Sequence, residues 1–257
     1  MADAPDQQIV QRNQPHGVPP LPLTGERTLP DVPEENYWFQ RHLVVYNWVA
    51  AQVAGLTVID MGSGEGYGAD LLAASAREVV GVEANPEAYA HAVARYRRPN
   101  LSFFEGLIEA YDRPAEAVVC LQTIEHLQDP DRVLAHFAGL APLLFISTPN
   151  VLTLAPKGAE RSDNPFHLRE YRPREFYDLC RRHYRRVDLY GLYHARKLAL
   201  HGLALKAGWD RLHRALGITD RFYSRFTPAI SVFDFKLKRR EPERLTGCLD
   251  LVACCRR

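Results

Sequence analysis

The chain has 257 residues, of which 46% are apolar and 25% are charged, so it is long enough for one large domain and has an ordinary globular composition. Its formal net charge of +1 gives no general attraction to nucleic acid, which makes a nucleic-acid partner unexpected. No run approaches the roughly 18 apolar residues of a membrane span, the first residues lack a signal-like pattern, and the five cysteines form no C-x-x-C pair, so we expect a cytoplasmic protein with reduced thiols.

The N-terminal segment is rich in proline. Residues 1–36 contain seven of the 18 prolines and few large apolar side chains, so this segment cannot bury enough surface to order itself alone. We predict an N-terminal arm over residues 1–33, flexible up to about residue 22 and lying irregularly over the domain after that. A single domain should then cover residues 34–257.

A helix is predicted over residues 34–53. Pro33 stands just before it, and two glutamates occupy its first turn, where negative charge suits the helix dipole. The apolar residues at helical spacing, which predict its buried side, are Phe39, Leu43, Tyr46, Ala50 and Val53. Arg41 lies beside this stripe, and its planar fork would suit a carboxylate.

The next stretch has the pattern of a nucleotide-binding turn. An apolar strand over residues 57–59 ends in Asp60, and Gly62, Ser63, Gly64, Glu65 and Gly66 then lead into a helical pattern. A strand, a glycine turn and a helix form the unit that cradles a nucleotide in an open α/β sheet. Glycine is needed there because it permits a tight turn and the close approach of a ligand.

Two classes of cofactor compete for this turn. Residues 64–69 fit the dinucleotide pattern G-x-G-x-x-A, which is a weak match by itself. A pyrophosphate favours a helix N-terminus without negative charge, whereas Asp60 and Glu65 bring two carboxylates. These carboxylates suit a cationic ligand with an ammonium group, so a dehydrogenase is the less favoured interpretation.

Strands and helices alternate along the rest of the chain. The predicted strands are residues 78–83, 101–106, 117–121, 143–147, 186–193 and 246–255. The predicted helices are residues 86–96, 130–140 and 173–183. Repeated strand–helix units imply a parallel sheet with helices on both faces, and such a sheet binds its ligand at the carboxyl ends of the strands.

Glu83 closes the second predicted strand, seventeen residues after Gly66. A carboxylate in this position can accept hydrogen bonds from both ribose hydroxyls of an adenosine. Ala84 and Asn85 would then border the adenine, and Leu107 would offer an apolar edge to the base.

Four segments, namely residues 60–68, 82–85, 120–127 and 146–150, together resemble the successive motifs of the class I S-adenosylmethionine-dependent methyltransferases. The resemblance extends over residues 34–194 and the last strand. It implies an α/β fold, a Rossmann-like seven-stranded mixed sheet with the last strand antiparallel and helices on both faces. It also implies that S-adenosylmethionine is held by Arg41, Asp60, Gly62, Ser63, Gly64, Gly66, Glu83, Ala84, Leu107 and Leu121.

Two subgroups of that family are similar in finer detail. The Glu-His pair before an Asp-Pro helix start is similar to ubiquinone-pathway O-methyltransferases, where an arginine and a residue after a strand-four cysteine contact the cofactor. Arg41 and Leu121 match those two positions. Residues 23–28 and 35–39 resemble actinobacterial methyltransferases thought to act on sugars or glycans.

Glu125 and His126 are the candidate catalytic residues. His126 could act as a general base, because an imidazole with a near-neutral pKa can take a proton from a hydroxyl. The set Gln122, Glu125, His126 and His167 also resembles the E-x-x-E-H run and later histidine that hold a divalent metal in small-RNA 3′-end methyltransferases, which implies Mg²⁺ or Mn²⁺. Gln122 replaces a carboxylate of that pattern, although its carbonyl oxygen can still ligate a hard cation. A purely structural pair is the third interpretation.

Two later segments complete the prediction. Residues 150–171 form a polar link long enough to be functional, and we expect it to border the substrate cavity. Residues 195–245 form an insertion with twelve basic and five acidic residues, a net charge of +7. This insertion could be a solvated basic surface, a lid, a homodimer contact or a groove for a glycan or an anionic substrate.

The sequence therefore predicts an S-adenosylmethionine-dependent methyltransferase that O-methylates a hydroxyl on a small molecule, with a sugar or glycan as the leading acceptor. RNA 3′-end 2′-O-methylation and methylation of an amine are the alternative reactions. The alternative from another class is a binding or scaffold protein that keeps the fold without turnover.

Overall fold

The computed structural model describes residues 9–156 and 158–257. Its strands are β1 Thr57–Met61, β2 Glu78–Glu83, β3 Leu101–Glu105, β4 Ala117–Leu121, β5 Leu143–Pro149, β6 Arg186–His194, β7 Phe235–Arg239 and β8 Asp250–Arg256. They form one sheet in the order β3-β2-β1-β4-β5-β8-β6-β7. The first five strands run parallel, and β8 lies antiparallel between β5 and β6. This is the mixed, Rossmann-like sheet that we predicted.

Helices cover both faces of the sheet. They are α1 Asn36–Ala50, α2 Tyr67–Ala73, α3 Pro86–Arg95, α4 Pro130–Leu140, α5 Val151–Leu154, α6 Pro173–His183, α7 Arg196–Lys206, α8 Trp209–Ala215 and α9 Thr219–Phe226. One core contains Phe137 of α4 and Phe176 of α6. The other contains Val49 of α1, Leu72 of α2 and Leu198 of α7. Coverage on both faces explains why β4 and β5 are almost continuously apolar and buried.

The strand order determines where a ligand can enter. The chain builds outward from β1 to β3 on one side, then returns to β4 on the other side of β1. Loops after β1 and β4 therefore diverge, and the crevice between them is the usual ligand site of an open α/β sheet.

The sheet has eight strands, one more than we predicted. The additional strand, β7, comes from the 195–245 insertion and pairs antiparallel with β6 at the sheet edge. Its sequence Phe-Lys-Leu-Lys-Arg alternates between apolar and basic residues over only five positions, and it buries Phe235 alone. Lysines on an edge strand discourage pairing with another sheet.

The N-terminal arm packs against the domain from residue 9 onward, whereas we predicted flexibility up to about residue 22. Leu21, Leu29 and Val32 form a small buried cluster with Ala88 of α3. The arm therefore obtains its order from contacts with the domain, because it has no sufficient core of its own. The part of the prediction that concerns residues 1–8 lies outside the described residues.

Helix α1 is shorter than predicted and buries a different side. Its buried residues are Arg41, Val45, Tyr46 and Val49, of which the predicted stripe contained Tyr46 alone. The helix is oriented by polar contacts of Arg41 and Tyr46 with carboxylates of the domain, which apolar periodicity does not report.

None of the helices in the described part of the chain is long and apolar enough to cross a membrane. All five cysteines are buried and have free thiols.

Candidate functional site

A cavity of about 760 Å³ lies at the carboxyl ends of the parallel strands. Its volume is within the usual range for small-molecule sites. The predicted cofactor residues that line it are Gly62, Ser63, Gly64, Glu83, Ala84, Leu107 and Leu121. The predicted catalytic and metal-ligating residues that line it are Gln122, Glu125, His126 and His167. The structure thus brings together most of the residues that the sequence predicted for the site.

The glycine turn after β1 forms the floor of the cavity. The amide groups of Gly62 and Ser63 both donate to Val82 O at 2.9 Å, which ties the turn to the end of β2. Gly62 has φ +78°, and a Cβ there would lie 2.6 Å from Thr123 Oγ1. Both the backbone angle and the space therefore require glycine.

Glu83 joins the glycine turn to the start of α3. Its two carboxylate oxygens accept from Gly64 N at 2.7 Å and from Asn85 N at 2.8 Å. The side chain lines the cavity and is largely buried. Each carboxylate oxygen has a second lone pair, so Glu83 can hold its backbone partners and still accept from a ribose.

Asp60 lies below the cavity and is not part of its described lining. Tyr46, which does line the cavity, donates from its hydroxyl toward the Asp60 carboxyl at 3.2 Å. Complete burial raises the pKa of Asp60 to about 7, an effect that the tyrosine partly offsets. Gly66 is also absent from the lining. It adopts φ +101°, and because a Cβ there would lie 2.8 Å from Ala92 Cβ, glycine lets the start of α2 approach α3.

Arg41 does not face the cavity either. Its Nε donates to Asp250 Oδ2 at 2.6 Å, and its Nη2 donates to Asp250 Oδ1 and to Leu249 O. Trp38 stacks on the guanidinium with 4.8 Å between the charge and the ring centre. The structure therefore gives Arg41 a partner on β8 in place of the cofactor carboxylate that we predicted.

Glu65 is used differently from our expectation as well. Its carboxylate contacts Gln11 Nε2 at 3.0 Å, His91 Nε2 at 2.9 Å and Tyr96 Oη at 2.7 Å. Arg95 Nη1 lies 3.0 Å away. The negative charge in the glycine turn is therefore balanced by α3 and the arm, and it anchors the arm to the site.

Glu125 is the most unusual carboxyl group in the cavity. Its side chain is 1% exposed, and Oε2 has no hydrogen-bond partner among the described residues. Burial raises the pKa of this group to about 8, so the carboxyl is mostly protonated at neutral pH. Its backbone carbonyl accepts from Leu168 N at 2.8 Å, which holds the 150–171 segment against the end of β4.

The hydrogen bond of His126 determines its tautomer. Its Nδ1 lies 2.9 Å from Phe166 O, and because a carbonyl can only accept, Nδ1 must carry the proton. Nε2 then has a lone pair. Burial lowers the pKa of His126, so the ring is neutral and able to accept a proton near pH 7.

His167 completes a group of three side chains. One donor atom each from Glu125, His126 and His167 lie within 4.8 Å of one another. His167 Nδ1 is 2.7 Å from Glu170 Oε1, and Nε2 is 3.1 Å from Asn164 Nδ2. A histidine backed by a carboxylate is a common arrangement for a metal ligand, although a metal would have to displace the Asn164 contact.

Gln122 lines the same cavity in a left-handed conformation with φ +53°. Its Nε2 lies 3.1 Å from Ser147 Oγ.

The N-terminal arm contributes a wall of the cavity that we did not predict. Gly25, Glu26, Arg27 and Thr28 all line it. In the sequence, Gly25 stands beside the charged residues Glu26 and Arg27, and this is the local signal that could have indicated a turn facing a ligand. In the structure Gly25 adopts φ +82°. Our prediction treated this stretch as part of an irregular arm.

Helix α1 adds Trp38, His42 and Tyr46 to the lining, and Glu35, just before the helix, lines the cavity as well. Burial raises the pKa of Glu35 to about 7 and lowers that of His42 to about 4.

Comparison with known proteins agrees with this geometry. Residues 37–202 match the family described as a methyltransferase domain. The chain is 37% identical over 242 residues to a probable S-adenosylmethionine-dependent methyltransferase of Mycolicibacterium smegmatis, which covers 91% of this chain and 94% of that protein. It is 33% identical over 150 residues to a ubiquinone biosynthesis O-methyltransferase of Albidiferax ferrireducens, which covers 50% of this chain and 59% of that protein.

Among solved structures, an S-adenosylmethionine-dependent methyltransferase of Thermotoga maritima is similar with a TM-score of 0.57 and 16% identity. The match covers 87% of this chain and 95% of that chain. At this level of identity the likeness shows a common fold.

Proposed function

We propose that this chain, which belongs to the class I S-adenosylmethionine-dependent methyltransferases, methylates a hydroxyl group of a small molecule, with a sugar or glycan as the leading acceptor. The observation that carries the proposal is the tautomer of His126 in the cavity wall. Its Nδ1 is bonded to Phe166 O, which leaves Nε2 to accept the proton of a hydroxyl. An alcohol needs such help because it is a weak nucleophile.

The cavity residues fit S-adenosylmethionine. Glu83 has carboxylate lone pairs for the ribose, and the exposed Leu107 offers an apolar surface to the adenine. The glycine turn leaves room for the methionine part, because Gly64 lines the cavity and no atom lies within 4 Å of where its Cβ would be. The buried carboxyl of Asp60, below Tyr46, becomes more acidic when a cation binds above it.

When bound, S-adenosylmethionine supplies an electrophilic methyl group on a sulfonium. The chain's own task is then to position the acceptor and remove one proton. His126 Nε2 would take the proton that the acceptor hydroxyl loses when the methyl group moves from sulfur to oxygen, and the imidazolium would later release that proton to solvent. Phe166 O holds the ring in the required orientation throughout.

A second arrangement uses the same side chains as ligands of Mg²⁺ or Mn²⁺. The compact group of Glu125, His126 and His167 favours it, with Gln122 as a further oxygen ligand. Such an ion would lower the pKa of the acceptor hydroxyl and make a base unnecessary. In that case the carboxyl of Glu125 would have to lose its proton on binding the ion.

Removal of the Glu83 carboxylate, which we propose binds the ribose, tests the cofactor part of the proposal. We expect Glu83→Ala to weaken S-adenosylhomocysteine binding by about 10-fold or more, because hydrogen bonds to a charged group contribute roughly 1.5–3 kcal/mol. Isothermal titration calorimetry measures this. The exposed Glu87 in the first turn of α3 gives a control, and equal losses for Glu83→Ala and Glu87→Ala would contradict the assignment.

Removal of the imidazole tests the base. We expect His126→Ala to lower kcat by about 100-fold or more while S-adenosylhomocysteine affinity stays nearly unchanged. His16, an exposed histidine of the arm, provides the control variant His16→Ala. Unchanged kcat in His126→Ala would reject His126 as the base.

Chelation separates the base from the metal. With His126 as the base, we expect full turnover in EDTA. Loss of turnover in EDTA that Mg²⁺ or Mn²⁺ restores would instead support the metal arrangement of Glu125, His126 and His167.

The molecule that receives the methyl group can be identified by measuring methyl transfer. Purified protein with labelled S-adenosylmethionine should transfer the methyl group to a member of a panel of sugars, glycans and small hydroxylated molecules. Labelling of an amine or of an RNA 3′ end would change the reaction class. Cofactor binding without transfer to any acceptor would favour the non-catalytic binding or scaffold protein.

A further inference from the structure

The cavity contains many acidic groups and one permanent cation. Its acidic lining residues are Glu26, Glu35, Glu65, Glu83, Glu109 and Glu125, and Arg27 is the one arginine or lysine among the described residues that line it. A carboxylate that enters the cavity therefore has Arg27 as its permanent positive partner.

Arg41 cannot easily take this role. Two of its nitrogens contact the carboxylate of Asp250, and the pair is almost completely buried. Its charge is therefore already neutralised by a bidentate partner. Breaking that buried pair to bind another carboxylate would cost several kcal/mol.

The path of the arm brings Arg27 over the cavity. On one side of it, Gly25 approaches the Phe166 ring, because a Cβ on this glycine would lie 4.0 Å from the ring. On the other side, Leu29 is fully buried against Ala88 of α3. In the chain, Arg27 lies between these two attachments, which hold this stretch of the arm against the cavity that Arg27 lines.

The side chain of Arg27 is enclosed but incompletely used. It is 10% exposed, and Nη2 donates to Glu26 Oε2 at 2.8 Å. Glu26 is 47% exposed, and an ion pair with such an exposed partner contributes little free energy. A guanidinium has five N–H donors in a fork, so Arg27 can also bind a planar carboxylate.

We propose that Arg27 binds the α-carboxylate of the methionine part of S-adenosylmethionine. The inference rests on the proposed function, because it takes this cofactor as the ligand. The methionine part would extend from the ribose at Glu83 toward the acceptor at His126, and Arg27 lines the same cavity as these two residues. The arm thus supplies the permanent positive charge that the other described residues lining the cavity lack.

The test compares two ligands that differ in the amino-acid part, which carries the carboxylate. S-Adenosylhomocysteine carries the amino-acid part, whereas 5′-methylthioadenosine lacks it. We expect Arg27→Gln to weaken S-adenosylhomocysteine binding by about 10- to 100-fold, the range for loss of charged hydrogen bonds. Affinity for 5′-methylthioadenosine should stay within about twofold, and Arg27→Lys should lie between wild type and Arg27→Gln because it keeps the charge without the fork.

Arg12→Gln is the matched control. Arg12 belongs to the same arm and pairs with Glu34, but both side chains are about half exposed and neither lines the cavity. It should leave both affinities unchanged. Calorimetry measures all of these constants with the full-length chain.

Three results would overturn the proposal. Unchanged S-adenosylhomocysteine affinity in Arg27→Gln would show that Arg27 does not bind the carboxylate. Equal losses for both ligands would show a general effect on the arm. An unchanged cofactor affinity with a raised KM for the acceptor would assign Arg27 to an acidic acceptor. If wild-type protein binds neither ligand, the proposed function itself fails, which is a different outcome.

Discussion

Glu125 shows how burial controls the charge of a single residue in this site. Its carboxyl is 1% exposed, and Oε2 has no partner among the described residues. Desolvation raises its pKa from 4.5 to about 8. At pH 7 the neutral carboxyl group of Glu125 can donate a hydrogen bond to an oxygen atom of a bound molecule. It loses its proton and becomes a carboxylate when a cation binds beside it.

The raised pKa also makes the stability of the fold depend on pH. Between about pH 4.5 and pH 8 the folded protein retains a proton that the unfolded chain has released. The free energy of unfolding must therefore fall as the pH rises through this window. Glutamine cannot ionise, so it does not incur this loss. We therefore expect the free energy of unfolding of Glu125→Gln, relative to that of wild type, to be higher at pH 8 than at pH 5 by roughly 3 kcal/mol.

Urea unfolding of wild type and Glu125→Gln at the two pH values measures this difference. Glu109 also lines the cavity but is exposed, so Glu109→Gln should show no such change with pH. A stability difference between wild type and Glu125→Gln that is the same at pH 5 and pH 8 would contradict the raised pKa.

At the scale of elements, most strands of the sheet could be predicted from the sequence, because they are buried on both faces. The predicted bounds of residues 78–83 and 117–121 are those of β2 and β4. Continuous apolar runs between glycine, proline and charged residues give this signal. Once the strands are parallel, residues that follow them must meet at one edge, which is why Glu83 and Glu125 share a cavity.

The remaining features depend on partners that are distant in the chain. Arg41 pairs with Asp250, 209 residues away, and Gln11 pairs with Glu65, 54 residues away. Local periodicity contains no information about such pairs. For this reason the sequence could indicate that Arg41 is suited to a carboxylate but not which carboxylate it would bind.

The arm illustrates the same point for a whole segment. Its composition predicts that it cannot fold alone, and in the structure it packs against the domain from residue 9 onward. Gln11 reaches the carboxylate of Glu65 in the glycine turn, and Arg95 of α3 contacts Gln14 and Asp31 of the arm. An element that looks disordered by composition is thus a wall of the site.

For the whole molecule, the 195–245 insertion forms the largest departure from a simple doubly wound sheet. Three leucines of this insertion are exposed: Leu200 by 68%, Leu203 by 62% and Leu216 by 60%. Asn36 at the start of α1 donates to Thr227 O at 2.9 Å, which attaches the insertion to the domain. A homodimer contact is one of the roles that we considered for this insertion, and light scattering after size exclusion tests it.

Cofactor binding should stabilise the entire fold, because the cavity is assembled from parts that are far apart in the chain. Its lining combines Arg27 of the arm, Glu83 at the end of β2 and His167 of the long connection after β5. The unfolded chain cannot present these groups together, so a ligand binds the folded state alone. At 100 times its dissociation constant, S-adenosylhomocysteine should add about 2.7 kcal/mol to the free energy of unfolding.

For a domain of this size, 1 kcal/mol shifts the melting temperature by roughly 2–4 °C, so we expect an increase of about 5–10 °C. Thermal unfolding of wild type with and without S-adenosylhomocysteine measures it. Glu83→Ala at the same ligand concentration should show a smaller increase, because its weaker binding lowers the ratio of ligand to dissociation constant. A melting temperature that does not rise in wild type at millimolar S-adenosylhomocysteine would contradict a cofactor site built from these distant segments.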